Sequence, residues 1–323
     1  MKLKTQLTTA GLVLLAAGIA AFGLPDVISI NNGLIRATIY LPDNETGYYR
    51  GVRFDRSAVM PELTFNGHSY FGQWYKVYRP EINDAVMGPV EAFDPLGFDV
   101  AGPGQSFVKI GVGTLTKPDT LPYNFARDYK LTNPGSWKVK TASNLVDFEH
   151  TLNDTAYSYN YHKRVELIKG KPLLVISHTL KNTGAHHIHT AVFDHNFFMM
   201  DGQHTGPGFV VTFPDKLTES LAGKEEYVKY NDNQLVFTKE LNHKNVAFKD
   251  LNNGKESRYD IRIENRNTGA AVRITADRPV SKMVFWSALT TLCPEPYIDV
   301  NAAPGKSFSW KIIYEFYTCP ITK

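Results

Sequence analysis

Cysteine is nearly absent from this chain: 323 residues carry only Cys293 and Cys319. Two cysteines make no disulfide scaffold, and their spacing is not that of a zinc motif. Charge of one sign is lacking too. Thirty-five Lys and Arg stand against 32 Asp and Glu, for a net charge of +3 with no basic run. That balance argues against nucleic-acid binding. No stretch holds a helical period through several turns. No glycine-rich loop runs on into Lys-Ser/Thr, so Ala101-Gly102-Pro103-Gly104 reads as a turn rather than a phosphate cradle. Beyond the N-terminus no apolar run is long enough to span a bilayer. Linkers, low-complexity segments and short repeats of propeller type are also missing.

The N-terminus is different. Met1-Lys2-Leu3-Lys4 is a short basic start, and Ala10 to Phe22 is an apolar run rich in Ala, Gly and Leu. These are the dimensions of a signal peptide, with small residues at Gly18-Ile19-Ala20 and Ile19-Ala20-Ala21 for cleavage. The expectation is a signal peptide over 1–21 and a periplasmic or secreted mature domain over 22–323 with no membrane anchor after processing. The alternative is an uncleaved N-terminal anchor. In an exported chain the two cysteines either pair, closing a loop behind Glu295, or remain free thiols.

What the chain has in quantity is period-2 alternation. Ser106–Gly113, Lys163–Ile168, Pro172–Leu180, Ile188–Met199, Tyr259–Glu264, Ala270–Thr275, Lys282–Ser287 and Ser307–Tyr317 read as strands. Turn signals such as Lys169-Gly170-Lys171, Asn182-Thr183-Gly184 and Asn267-Thr268-Gly269 bound them. Strands at close spacing throughout predict an all-β protein of large antiparallel sheets packed face to face. Asn83–Gln105, with three Gly-Pro or Pro-Gly steps, reads as a long loop over those sheets.

Two segments could carry acid–base chemistry. In Cys293-Pro294-Glu295-Pro296 a glutamate sits between prolines that restrict the backbone on both sides. It is either positioned by a sheet for catalysis or a plain surface carboxylate. In Phe193-Asp194-His195-Asn196-Phe197 strand parity puts His195 on one face with Phe193 and Phe197, and turns Asp194 and Asn196 away. His195 is either a partly desolvated acid–base group or a core histidine bonded to backbone. The histidines His178, His186, His187, His189 and His195 raise a metal site, but spacing specifies no third ligand, and none is expected. Arg53, in Gly51-Val52-Arg53-Phe54-Asp55, is suited to holding hydroxyls or a carboxylate, or else pairs with Asp55. His68 lies in another aromatic setting, Glu91 in the expected loop, and Tyr123 is a further candidate acid or base.

Three ordered signals resemble the galactose mutarotase (aldose 1-epimerase) superfamily. His178-Thr179-Leu180-Lys181-Asn182-Thr183-Gly184 looks like the strand and turn before the family's acid histidine. His195 with Asn196-Phe197-Phe198 looks like the histidine segment itself. Cys293-Pro294-Glu295-Pro296, followed by Asn301, Pro304-Gly305 and a terminal strand, looks like the segment of the base glutamate. The resemblance implies a β-supersandwich with a sugar cleft on one sheet. It implies His195 as general acid, Glu295 as general base, Arg53 as substrate-binding arginine, and no metal or organic cofactor. The family's second histidine has no clean match; Gly88-Pro89-Val90-Glu91 stands near that point. The implied partner is a monosaccharide, sugar acid or oligosaccharide. Because the scaffold hosts other chemistries, a lyase, a hydrolase or a non-catalytic glycan-binding protein are the alternative readings.

Overall fold

The computed structural model describes residues 25–154 and 156–322. Within them the alternating segments become antiparallel strands. In chain order these are β1 (Val27–Asn31), β2 (Ile35–Tyr40), β3 (Val59–Phe65), β4 (His68–Ser69), β5 (Gly88–Phe93), β6 (Ser106–Lys109), β7 (Gly113–Thr116), β8 (Lys130–Asn133), β9 (Ser136–Ala142), β10 (Leu145–Leu152) and β11 (Tyr159–Leu167). They continue as β12 (Leu173–Asn182), β13 (Ile188–Phe197), β14 (Phe209–Thr212), β15 (Val228–Asn231), β16 (Gln234–Phe237), β17 (Val246–Phe248), β18 (Asp260–Asn265), β19 (Ala270–Ala276), β20 (Lys282–Ala288), β21 (Thr291–Ala302) and β22 (Ser307–Thr318). Among the described residues the one helical element is a single 3-10 turn at Met200–Gly202.

Two sheets dominate. Ten strands run in the order β15-β16-β14-β18-β19-β22-β12-β11-β10-β9, and five in the order β17-β20-β21-β13-β5. Alternation decides which face is buried. Val146, Phe148 and Leu152 of β10, Leu174, Ile176 and Leu180 of β12, and Trp310, Ile312, Tyr314 and Phe316 of β22 turn inward as one core. Each large apolar side chain buried there contributes roughly 1.5–3 kcal/mol.

Polar groups join the two sheets across this core. Asn196 of β13 accepts from the Tyr314 hydroxyl at 2.8 Å, and Asp194 accepts from Tyr259 at 2.8 Å. The Lys163 ammonium of β11 meets the carboxylates of Asp55, at 2.9 Å, and Glu91. His178 Nε2 lies 2.7 Å from Glu91 Oε1. All four of these groups are buried. Burial alone would raise the Glu91 pKa; Lys163 and His178 outweigh it and hold the carboxyl well below its usual range.

Three expectations are corrected here. Ser106–Gly113 is not one strand but β6, a turn, and the start of β7, with Gly111 at φ 76° in the reversal. Asn83–Gln105 is not all loop, since it contains β5. That strand's Pro89 is tolerated because β5 is the edge of its sheet and needs no outer ladder. The alternative reading in which Arg53 pairs with Asp55 is not found: Asp55 pairs with Lys163, and Arg53 with Asp84. Of the two open readings for cysteine, Cys293 and Cys319 are both buried and free. The expected signal peptide lies outside the described residues.

Candidate functional site

One face of the five-stranded sheet packs on the core; the other floors a cavity of about 590 Å³. That volume suits a small-molecule ligand. Phe193, His195 and Phe197 rise from β13, Glu295 and Tyr297 from β21, and Val284 and Trp286 from β20. Loops close the sides with Arg53, Trp74, Asp84, Tyr123 and Phe125, and the end of β6 adds Lys109.

Register brings His195 and Glu295 together. The β13–β21 ladder pairs Phe193 with Tyr297, and the isolated bridge Phe198–Leu292 continues the same register. His195 and Glu295 are therefore cross-strand neighbours on one face, with Nε2 and Oε1 3.4 Å apart. The prolines explain the gap between those two pairings. A proline has no N–H to give a neighbouring strand. The ladder from β21 to β20 runs unbroken from Lys282 to Ala288, whereas the ladder to β13 is interrupted where Pro294 and Pro296 stand. Asn196 Nδ2 takes up the Pro294 carbonyl at 3.0 Å from the interior side. The floor is opened to backbone pairing beside the reacting groups while one side-chain bond holds it.

The imidazole is fixed by packing. Its ring stacks on Phe197 at 3.9 Å and 5°, and Trp74 stacks on Phe197 at 4.9 Å and 9°. Phe54 meets it edge-on at 5.6 Å. His195 Nδ1 is buried and has no hydrogen-bond partner among the described residues. Burial, with a further contribution from Arg53, pushes the His195 pKa well below its ordinary value. Burial also pushes the Glu295 carboxyl up to about 7, against a lowering by Arg53 and Lys282. Near neutral pH the pair is thus a neutral imidazole beside a carboxyl that holds or loses a proton. That combination is matched to general acid–base catalysis at physiological pH.

Of the candidates from the sequence, His195, Glu295, Arg53 and Tyr123 reach this cavity. Arg53 pairs with Asp84 and lies over the Phe125 ring at 4.1 Å. Glu91 does not line the cavity. It pairs in register with Asp194, so it shares the interior face of the sheet and is consumed by Lys163 and His178. His68 is not there either; its Nδ1 meets Asp201 at 2.9 Å beside β4. His178 in the interior and His195 on the floor face opposite ways, and among the described residues no three His, Cys, Asp or Glu side chains gather as a metal site. Lys109, Asp84, Trp74 and Trp286 are lining residues that sequence reasoning missed. Lys109 lay inside the expected strand Ser106–Gly113 with parity as its only signal, and the others reach the site through folding of distant segments.

No protein-family model matches the chain, and no curated protein does. Solved structures do. A galactose mutarotase-like protein from Clostridium acetobutylicum is 13% identical over 91% of this chain and 96% of that one, with a TM-score of 0.56. A galactose mutarotase-like protein from Lactobacillus casei ATCC 334 is 14% identical over 90% and 100%, TM-score 0.54. An aldose epimerase homologue from C. elegans is 17% identical over 91% and 99%, TM-score 0.50. At this identity the likeness is one of fold: the chain has the galactose mutarotase-like β-sandwich architecture.

Proposed function

We propose that the cavity interconverts the anomers of a sugar by acid–base ring opening. The observation that carries this reading is His195 and Glu295 as cross-strand neighbours, 3.4 Å apart and buried on the cavity floor. In the step, one group protonates the ring oxygen as the C1–O5 bond breaks with its electron pair going to oxygen. The other removes the proton from the C1 hydroxyl as the C1=O bond forms. Rotation about C1–C2 and closure on the opposite carbonyl face return both protons and give the other anomer. The pair starts with one transferable proton and ends each half of the cycle with it on the other group, so no further co-reactant enters. Each well-placed proton-transfer group contributes roughly 10²–10⁴ in rate.

The resemblance assigns the acid to His195 and the base to Glu295. Burial favours the proton on Glu295 in the free protein, so that assignment requires the proton to cross to Nε2 when substrate binds. Trp74, Trp286 and Tyr297 line the same volume, an aromatic lining suited to the apolar face of a pyranose. Export to the periplasm or beyond belongs to the same proposal and rests on the N-terminal sequence.

Anomer exchange by NMR, across neutral aldoses and uronic acids, tests it. Wild-type protein accelerates exchange of a preferred sugar, and folded Glu295→Gln and His195→Ala proteins lose the acceleration. A folded wild type that accelerates none of them overturns the proposal. Chain cleavage of an oligosaccharide would then point to a lyase or hydrolase, and saturable binding unaffected by Glu295→Gln to a glycan-binding protein.

A further inference from the structure

Among the described residues Lys109, Lys117 and Lys163 are buried; Lys117 donates to the Phe98 carbonyl away from the cavity, and the surroundings of the other two are opposite. Lys163, inside the sandwich, has the carboxylates of Asp55 and Glu91. Lys109, on the cavity wall and only 2% exposed, has no carboxylate bonded to it. Its Nζ donates to the Arg53 carbonyl at 2.8 Å and to the Tyr123 hydroxyl at 2.9 Å. Those two neutral acceptors leave one ammonium hydrogen uncommitted. Having accepted from Lys109, Tyr123 keeps its own phenolic hydrogen for another acceptor. The Arg53 guanidinium alongside gives Nη1 to Asp84, and its Nε has no partner.

Three donors thus meet on one wall, and one of them is a buried ammonium with no carboxylate hydrogen-bonded to it. An unpaired buried cation is costly unless something of opposite charge joins it. The cost is visible in Lys109, whose pKa is pushed down to about 7, first by burial and then by Arg53, against a smaller raising by Asp94. Asp94 borders the same volume and attracts Lys109 through space, but among the described residues its carboxylate is hydrogen-bonded to neither cation.

We propose that Arg53, Lys109 and Tyr123 form a subsite for an anionic substituent of the sugar, a carboxylate or a phosphate ester. The inference rests on the cavity being a sugar site. It narrows the substrate class to acidic sugars: a bound anion supplies the charge partner that the protein withholds from Lys109 and accepts the free Tyr123 hydrogen. Its position on the wall leaves His195 and Glu295 on the floor for the anomeric centre.

Titration calorimetry with galacturonate, galactose 6-phosphate and galactose tests this on the mature chain, its Lys109→Met variant and its Tyr123→Phe variant. Wild type is expected to bind at least one acidic sugar on the order of tenfold or more tighter than galactose, the scale of a charge-assisted contact. Lys109→Met abolishes that advantage, and Tyr123→Phe reduces it. Which acidic sugar gains tells carboxylate from phosphate. Equal affinity for all three, no binding of any, or an advantage that survives Lys109→Met overturns the subsite. If Lys109→Met does not fold, the wild-type preference and its reduction in Tyr123→Phe decide, and absence of either overturns the proposal. Anomer exchange on the same samples separates the two readings. Exchange of galactose without any acid preference removes the subsite alone. An acid preference lost in Lys109→Met, with no exchange of any sugar, supports the subsite and removes the epimerase.

Discussion

Replacing Glu295 by glutamine is expected to stabilise the protein at alkaline pH while abolishing its chemistry. Burial raises the folded-state pKa from 4.5 to about 7. The unfolded chain therefore loses this proton first as pH rises. Between roughly pH 4.5 and 7 each step upward favours unfolding, because the ionised carboxylate is solvated only in the unfolded chain. Two and a half pKa units at about 1.4 kcal/mol each set a ceiling of about 3–4 kcal/mol on the penalty above pH 7. Glutamine keeps the shape and cannot ionise. Urea unfolding of wild type and Glu295→Gln at pH 4 and pH 8 gives the comparison. At pH 4 both carry a neutral side chain, and the difference between them reflects only the altered contact with His195. At pH 8 that difference should shift by about 3 kcal/mol in favour of Glu295→Gln. His195 works in the opposite sense, since its lowered pKa removes stability as pH falls below its unfolded value near 6.5. It is present in both proteins and largely cancels. A difference that does not change between the two pH values, or one that moves against glutamine at pH 8, would refute the claim that burial controls this carboxyl.

The interior ion cluster makes a structural counterpart. Lys163→Met leaves Asp55 and Glu91 buried without their cation, and should destabilise the fold by about 3–5 kcal/mol in urea melts at neutral pH. A loss below about 1 kcal/mol would mean that the two carboxyls take up protons at little cost. For export, N-terminal sequencing of protein recovered from the periplasm or the medium should begin near Ala21 or Phe22. A chain that keeps Met1 and stays in the cell would refute the signal-peptide reading.

How much of the site was legible in the sequence depended on range. Strand parity alone put Phe193, His195 and Phe197 on one face and Asp194 and Asn196 on the other, and the structure has them so. Parity is a property of one strand and needs no partner. The two prolines marked Glu295 as a constrained position, and in the fold they interrupt one ladder of β21. Glu91 was misread because Gly-Pro steps on either side looked like a loop. An edge strand admits proline, and which strand lies at an edge is decided by the whole sheet.

The sequence by itself determined that this is an all-β protein, where most of the long strands run, and which side chains of β13 share a face. Those are consequences of period-2 alternation and turn chemistry, which act over a few residues. Tertiary structure alone decided that Glu295 stands across from His195, that Glu91 turns inward to Lys163, and that Lys109 is left on the cavity wall beside Arg53 with no carboxylate hydrogen-bonded to it. Register between strands about a hundred residues apart in sequence, and the desolvation that sets these protonation states, arise only when the sheets are assembled and water is excluded.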